Sequence, residues 1–137
     1  MFSEQIAKIA GLLARGSASL YAKGYQQSGS RFLDNRARCF CAMGAMMVAY
    51  QQEQHTVSFA DASTAVCAMV NTIPGEKFVV VTPDKKEHST LFMALVHLND
   101  QQWTTQDIVS WLGRIAEYDG ENVSPQYFTR KEKRQYR

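Results

Sequence analysis

Cys39-Phe40-Cys41-Ala42-Met43-Gly44-Ala45-Met46-Met47 is the stretch whose reading decides the fold. From Phe32 to Gln54 there is no proline and one glycine, which predicts one long helix over 32–54. On that helix Phe40, Met43 and Met47 form one apolar line, and Cys41, Gly44, Ala45 and Val48 form another. A helix apolar over more than half its circumference belongs in a protein interior. The segment is therefore expected to be the central, largely buried element. Gly44, beside Ala42, Ala45 and Ala49, marks the expected place of a close helix–helix crossing.

Moving toward the N-terminus, Ser3 is placed to cap a first helix. Ile6, Ile9, Ala10 and Leu13 follow helical spacing, and Gly16 is its expected stop. Residues 17–30 read ambiguously, because Gly24, Gly29 and the serines weaken a short helix around Leu20 and Tyr21. Toward the C-terminus, Ser58-Phe59-Ala60-Asp61 is a capping box, and Phe59, Ala62, Val66, Met69 and Val70 continue it at helical spacing. Pro74-Gly75 closes that helix. Lys77–Thr82 holds Phe-Val-Val-Val and is the one convincing strand, with a turn at 83–86. Thr90–Leu98 is rich in Leu, Met and Ala and reads as helix, although a buried strand has the same composition. Thr104-Thr105-Gln106-Asp107 is a second capping box, in which the Thr104 hydroxyl is expected to accept from the Asp107 amide. It opens a helix carrying Ile108, Trp111, Leu112 and Ile115, ended by Asp119-Gly120. The expected fold is mainly α: a single-domain bundle of about five helices around the 32–54 helix, with one short strand or hairpin. The expected boundary separates a helical domain, 1–126, from a basic aromatic tail, 127–137.

Composition sets the class. At 137 residues the chain is one domain long enough to bury a substantial core. Its 45% hydrophobic and 20% charged content excludes a disordered chain. The net charge of +2 points to no partner. Three cysteines, two of them at 39 and 41, do not form a disulfide framework. Met1-Phe2-Ser3-Glu4 lacks the basic start and apolar core of a secretory leader, and the apolar run Leu91–Leu98 is far too short to span a bilayer. The expected setting is the reduced cytoplasm, without a membrane.

The residues that carry chemistry cluster in two places. Cys41 with His97 and either Asn99 or Asp100 supplies the types and the order of a cysteine hydrolase: a thiol, a base and a group that orients the base. Against this, Cys41 falls inside the predicted helix, and an unpaired cysteine behaves as a small buried hydrophobe. The structural reading is favoured, with Cys41 inert. Asn99-Asp100 has an equally plain reading, as a helix end where short polar side chains bond nearby backbone. Cys39, Cys41 and Cys67 lack the spacing of a zinc knuckle, and no glycine run has nucleotide-binding spacing, so neither metal nor cofactor is expected. Met43, Met46 and Met47 read as core filler.

The Cys41-Ala42-Met43-Gly44-Ala45 core, followed by Asn99-Asp100, Thr105 and Ile108, resembles a family of short, uncharacterised bacterial and phage proteins. Members read Cys-Ala-Leu-Gly-Ala, then aromatic-Asn-Asp, then a helix opened by threonine. The likeness spans roughly residues 39–112. Met43 stands in the place of the usual leucine, and Leu98 in the place of the aromatic. The resemblance implies a bacterial or phage origin and a shared core at Cys41 and Asn99-Asp100, with no established activity.

The tail is the remaining candidate. Residues 130–137 carry five basic groups against one acid, on a body that is net acidic. Tyr127, Phe128, Arg130, Lys131, Lys133 and Arg134 are the expected partner-binding residues. The leading expectation is a small non-enzymatic interaction protein, a phage or mobile-element factor acting on a host protein. A Cys41 hydrolase and a nucleic-acid binder using the tail are its alternatives.

Overall fold

A computed structural model describes residues 2–29, 32–117 and 126–131. Among them are five helices and six short strands. In chain order these are α1 (Ser3–Ala22), β1 (Gln26–Gln27), β2 (Leu33–Asp34), β3 (Cys39–Phe40), α2 (Ala42–Gln54), α3 (Phe59–Asn71), β4 (Phe78–Val81), β5 (Glu87–His88), α4 (Leu91–Asp100), α5 (Thr105–Glu117) and β6 (Phe128–Arg130). The chain is mainly α, as its periodicity predicts.

The expected 32–54 helix begins ten residues late. Asp34 folds back so that its Oδ1 accepts from the Arg36 and Ala37 amides at 3.1 and 3.0 Å. Such a local bond offers the backbone an alternative to helix. Arg38 then adopts a left-handed backbone with φ 57°, which turns the chain back on itself. Leu33 and Asp34 consequently pair antiparallel with Phe40 and Cys39, and Gln26-Gln27 pairs parallel on the other side of β3. Cys41 is therefore not inside a helix. It is the extended residue before α2, with φ −105° and ψ 174°, and its carbonyl accepts from the Ala45 amide at 3.0 Å.

Gly16 does not stop the first helix, which runs on to Ala22. A Cβ on Gly16 would overlap the Ala45 carbonyl, so this glycine lets α1 and α2 approach closely. The close neighbour of Gly44 is not a helix. A Cβ there would overlap the carbonyl of Phe32, in the loop that crosses the start of α2. The expected crossing glycine is thus Gly16, and Gly44 makes room for a loop. Nor does Ser3 cap α1: it is the first helical residue, and Phe2 occupies the cap position.

The other caps form as predicted. Ser58 Oγ accepts from the Asp61 amide and Thr104 Oγ1 from the Asp107 amide, both at 3.0 Å. Thr90 Oγ1 accepts from the Met93 amide at 3.2 Å, which starts α4 as a helix and settles the 90–98 ambiguity.

In place of one strand or hairpin there are two three-stranded sheets, ordered β1-β3-β2 and β5-β4-β6. Strands of two or three residues carry no readable alternation, so periodicity does not reveal them. The second sheet changes the expected domain boundary. β6 pairs antiparallel with β4, matching Phe78 with Arg130 and Val80 with Phe128. Tyr127 and Phe128 are buried, and Phe128 meets Phe2 edge-on at 6.4 Å. Residues 127–131 are an integral edge of the fold, and Lys133 and Arg134 lie outside the described residues.

The core is continuous. It joins Ile6, Ile9, Leu12 and Leu13 of α1 to Met43, Met46 and Met47 of α2, Leu95 and Leu98 of α4, and Ile108, Trp111 and Leu112 of α5. Among the described residues no helix is long and apolar enough to cross a membrane.

Candidate functional site

Asn99 is the hub around which the site is built. It is buried near the end of α4. Its Oδ1 accepts from the Ala42 amide at 3.0 Å and from Gln27 Nε2 at 2.8 Å, and its Nδ2 donates to the Ser28 carbonyl at 2.8 Å. Ala42 opens α2, where backbone N–H groups have no partner within the helix. Asn99 therefore caps a helix other than its own. Gln27 extends the clasp: its Nε2 also donates to the Trp103 carbonyl at 2.9 Å, and its Oε1 accepts from the Thr105 amide at 3.0 Å. Two amide side chains thus tie β1, α2, α4 and the start of α5 together.

Beside this clasp lies a cavity of about 600 Å³. Phe32, Ala42, Met43, Phe92, Leu95 and Val96 give it apolar walls, and Gly29, Cys41, Asn99 and Asp100 complete the lining. Phe92, Val96 and Asn99 share one face of α4 at i, i+4 and i+7. The opposite wall is the loop over Gly44. The Phe32 carbonyl accepts from the Cys41 amide at 3.2 Å, which holds this loop against the start of α2.

Cys41 sits at the cavity wall, buried. Burial pushes its thiol pKa up; the Gly44 and Met43 amides pull the other way without closing a cap hydrogen bond to Sγ, and Asp100 adds to the rise. Desolvation wins, so the sulfur is a neutral thiol at ordinary pH. Asp100 is exposed at the rim, one residue on from Asn99, and only 3.1 Å would separate its Oδ1 from a Cβ on Gly29.

His97 is not part of this wall. Its Nε2 meets Asp84 Oδ2 at 2.7 Å, on the turn between β4 and β5. Its ring lies against that of His88, with centroids 4.7 Å apart. His88 is held below its usual 6.5, first by desolvation and then by the neighbouring His97, with Asp84 opposing. Asp84 is lowered from 3.8: desolvation raises it, but hydrogen bonds from Thr82 and His97 outweigh that. The four consecutive residues His97-Leu98-Asn99-Asp100 therefore part company. His97 faces the hairpin, Leu98 the core, Asn99 the clasp and Asp100 the rim. No hydrogen bond joins Cys41 to His97, so the expected base and nucleophile are not brought together. Among the described residues no three His, Cys, Asp or Glu side chains are grouped to hold a metal ion.

Of the expected partner-binding residues, Tyr127, Phe128, Arg130 and Lys131 lie on or beside the second sheet. Arg130 stacks over the Phe78 ring at 5.2 Å, and the Lys131 amide donates to the Lys77 carbonyl at 2.9 Å. The Val81 amide donates to the Tyr127 carbonyl at 2.7 Å. Thr104 caps α5 and does not line the cavity.

Sequence reasoning found Cys41, Asn99 and Asp100 and missed Gln27, Phe32, Phe92 and Val96. The Phe92–Val96–Asn99 face was readable from its spacing. Gln27 and Phe32 were not, because the course of the chain at both depends on distant partners.

No curated protein and no solved structure matches the chain. The model of a family of unknown function (DUF6197) matches residues 5–118, more than four-fifths of the length. This span holds the clasp, the cavity walls and all five helices except the first two residues of α1, and the chain belongs to that family.

Proposed function

We propose that this chain is a small non-enzymatic interaction protein whose cavity receives an apolar group of a protein partner. The observation that carries this is the cavity itself. Its volume falls within the range of ligand sites, roughly 300–1,000 Å³, and its walls are apolar with a few polar groups. Apolar surface also continues beyond it. Phe32 is 38% exposed and Met93, one turn of α4 from Val96, is 50% exposed. An apolar patch around a concavity is a common mark of an interaction site. The non-enzymatic half of the proposal rests on Cys41, a neutral thiol with no base bonded to it. The resemblance to bacterial and phage sequences adds the setting: a phage or mobile-element factor meeting a host protein in the cytoplasm.

The test is affinity capture from a bacterial lysate with the intact chain and with Val96→Arg, which places a charge in the cavity wall. A partner held by the cavity is retained by the first and lost by the second at an unchanged melting temperature. If both variants retain the same proteins, the cavity is not the recognition site.

A further inference from the structure

We infer that the group received by this cavity is an apolar side chain with a cationic nitrogen beside it, held by the Asp100 carboxylate. The inference rests on the interaction reading above and adds the chemistry of the partner. It follows from an account of the polar groups around the cavity. Those of the α2 start are already engaged: the Cys41 amide by the Phe32 carbonyl, the Ala42 amide by Asn99, and the Ala45 amide by the Cys41 carbonyl. The Met43 and Gly44 amides lie beside the Cys41 sulfur without a cap hydrogen bond to it. A helix N-terminus ordinarily attracts anions, but here the Ala42 amide is already taken by Asn99 and the Asp100 carboxylate stands in the same lining. Asn99 is spent as well, with its oxygen shared by two donors and its nitrogen on Ser28. The Cys41 thiol is neutral.

Asp100 is what remains. It is the one charged residue in the lining, and its carboxylate makes no hydrogen bond or ion pair with any other described residue. Among the described residues the cavity therefore offers apolar walls and a single unspent negative charge at its edge. Charge complementarity selects a positive group flanking an apolar one: a lysine or arginine next to a large aliphatic or aromatic residue on the partner. An anionic group would meet repulsion from Asp100, and a doubly polar group would meet walls that are mostly apolar.

The test uses the full-length, ¹⁵N-labelled protein and two probes of nearly equal shape, phenylbutylammonium and its neutral counterpart phenylbutanol. Both are titrated at low and high salt while amide shifts are followed at Ala42, Val96 and Asp100. The ammonium is expected to bind roughly two- to fivefold more tightly, the size of an exposed ion pair, with the margin shrinking at high salt. Asp100→Asn should erase that margin and leave the alcohol's binding in place. Equal binding of the two probes, or a margin that survives Asp100→Asn, overturns the cationic assignment while leaving the apolar cavity as a binding site. If neither probe moves those amides, the cavity reading falls together with this inference.

Discussion

Helix α4 presents two polar neighbourhoods that are adjacent in sequence and unlike in physics. On the Asn99 side, every polar atom of the side chain is bonded, and the partners come from two other segments, Gln27-Ser28 and the start of α2. On the His97 side, one imidazole bonds one carboxylate, while the Nε2 of His88 is buried without a partner. The first arrangement contains no titratable group, so it is insensitive to pH and expensive to disturb. The second consists of titratable groups, so its strength changes with pH. A helix turns about 100° per residue, and that rotation is enough to send neighbours into separate jobs.

The contrast can be broken most forcefully at Asn99. Asn99→Ala leaves the Ala42 amide and the Ser28 carbonyl without their partner, and leaves Gln27 Nε2 with the Trp103 carbonyl alone. At about 1–3 kcal/mol for each buried group left unsatisfied, the loss should reach about 3 kcal/mol or more in urea unfolding. The adjacent Asp100→Asn should stay within about 0.5 kcal/mol, since no described residue depends on it. Similar losses at the two positions would mean that the clasp is not a clasp.

Gly44 tests the wall next to the clasp. Gly44→Leu drives a side chain into the Phe32 carbonyl and should cost about 1–3 kcal/mol by overpacking. It should also displace the 32–41 loop and weaken phenylbutanol binding. Thermal melts that match the wild type would show that the loop yields freely.

Thr104 probes a cap that lies outside the clasp. Thr104→Ala removes the acceptor of the Asp107 amide and should destabilise by about 1 kcal/mol. Chemical denaturation should show this loss with cavity binding unchanged, whereas Asn99→Ala should lower both.

The smallest effect belongs to the His97 side. His88 binds its proton less readily in the folded chain than in the unfolded one, where its value is near 6.5. The unfolded chain therefore takes up that proton first as the pH drops. The contribution of His88 to stability is complete above pH 6.5 and is lost as the pH falls below it toward the lowered folded value. Asp84 adds a second loss of the same sign below about 3.8, because its folded value is also lowered. Comparing unfolding of the wild type and His88→Phe between pH 7 and 5 isolates the first window. A curve for the variant parallel to the wild type's would remove His88 as its source.

Local chemistry was legible in the sequence wherever a few adjacent residues suffice. The caps at Ser58 and Thr104, the Phe78–Val81 strand and the apolar face of α5 each depend on spacing within one element, so reading them required no knowledge of the rest of the chain. The same reasoning overran at Phe32–Gln54, since low-cost helix composition hid the competing turn at Asp34 and Arg38. It ended α1 too early at Gly16, where glycine serves a crossing and not a stop. What only the tertiary structure decided is which distant groups complete one another. The carboxamide of Asn99 is a helix cap because α2 happens to begin beside it. Gln27 matters because β1 brings it to the connection between α4 and α5. His97 is no partner for Cys41 because Asp84 meets it first. Such assignments arise from long-range packing, which satisfies buried polar groups across dozens of residues, and no window of sequence contains both ends of those bonds.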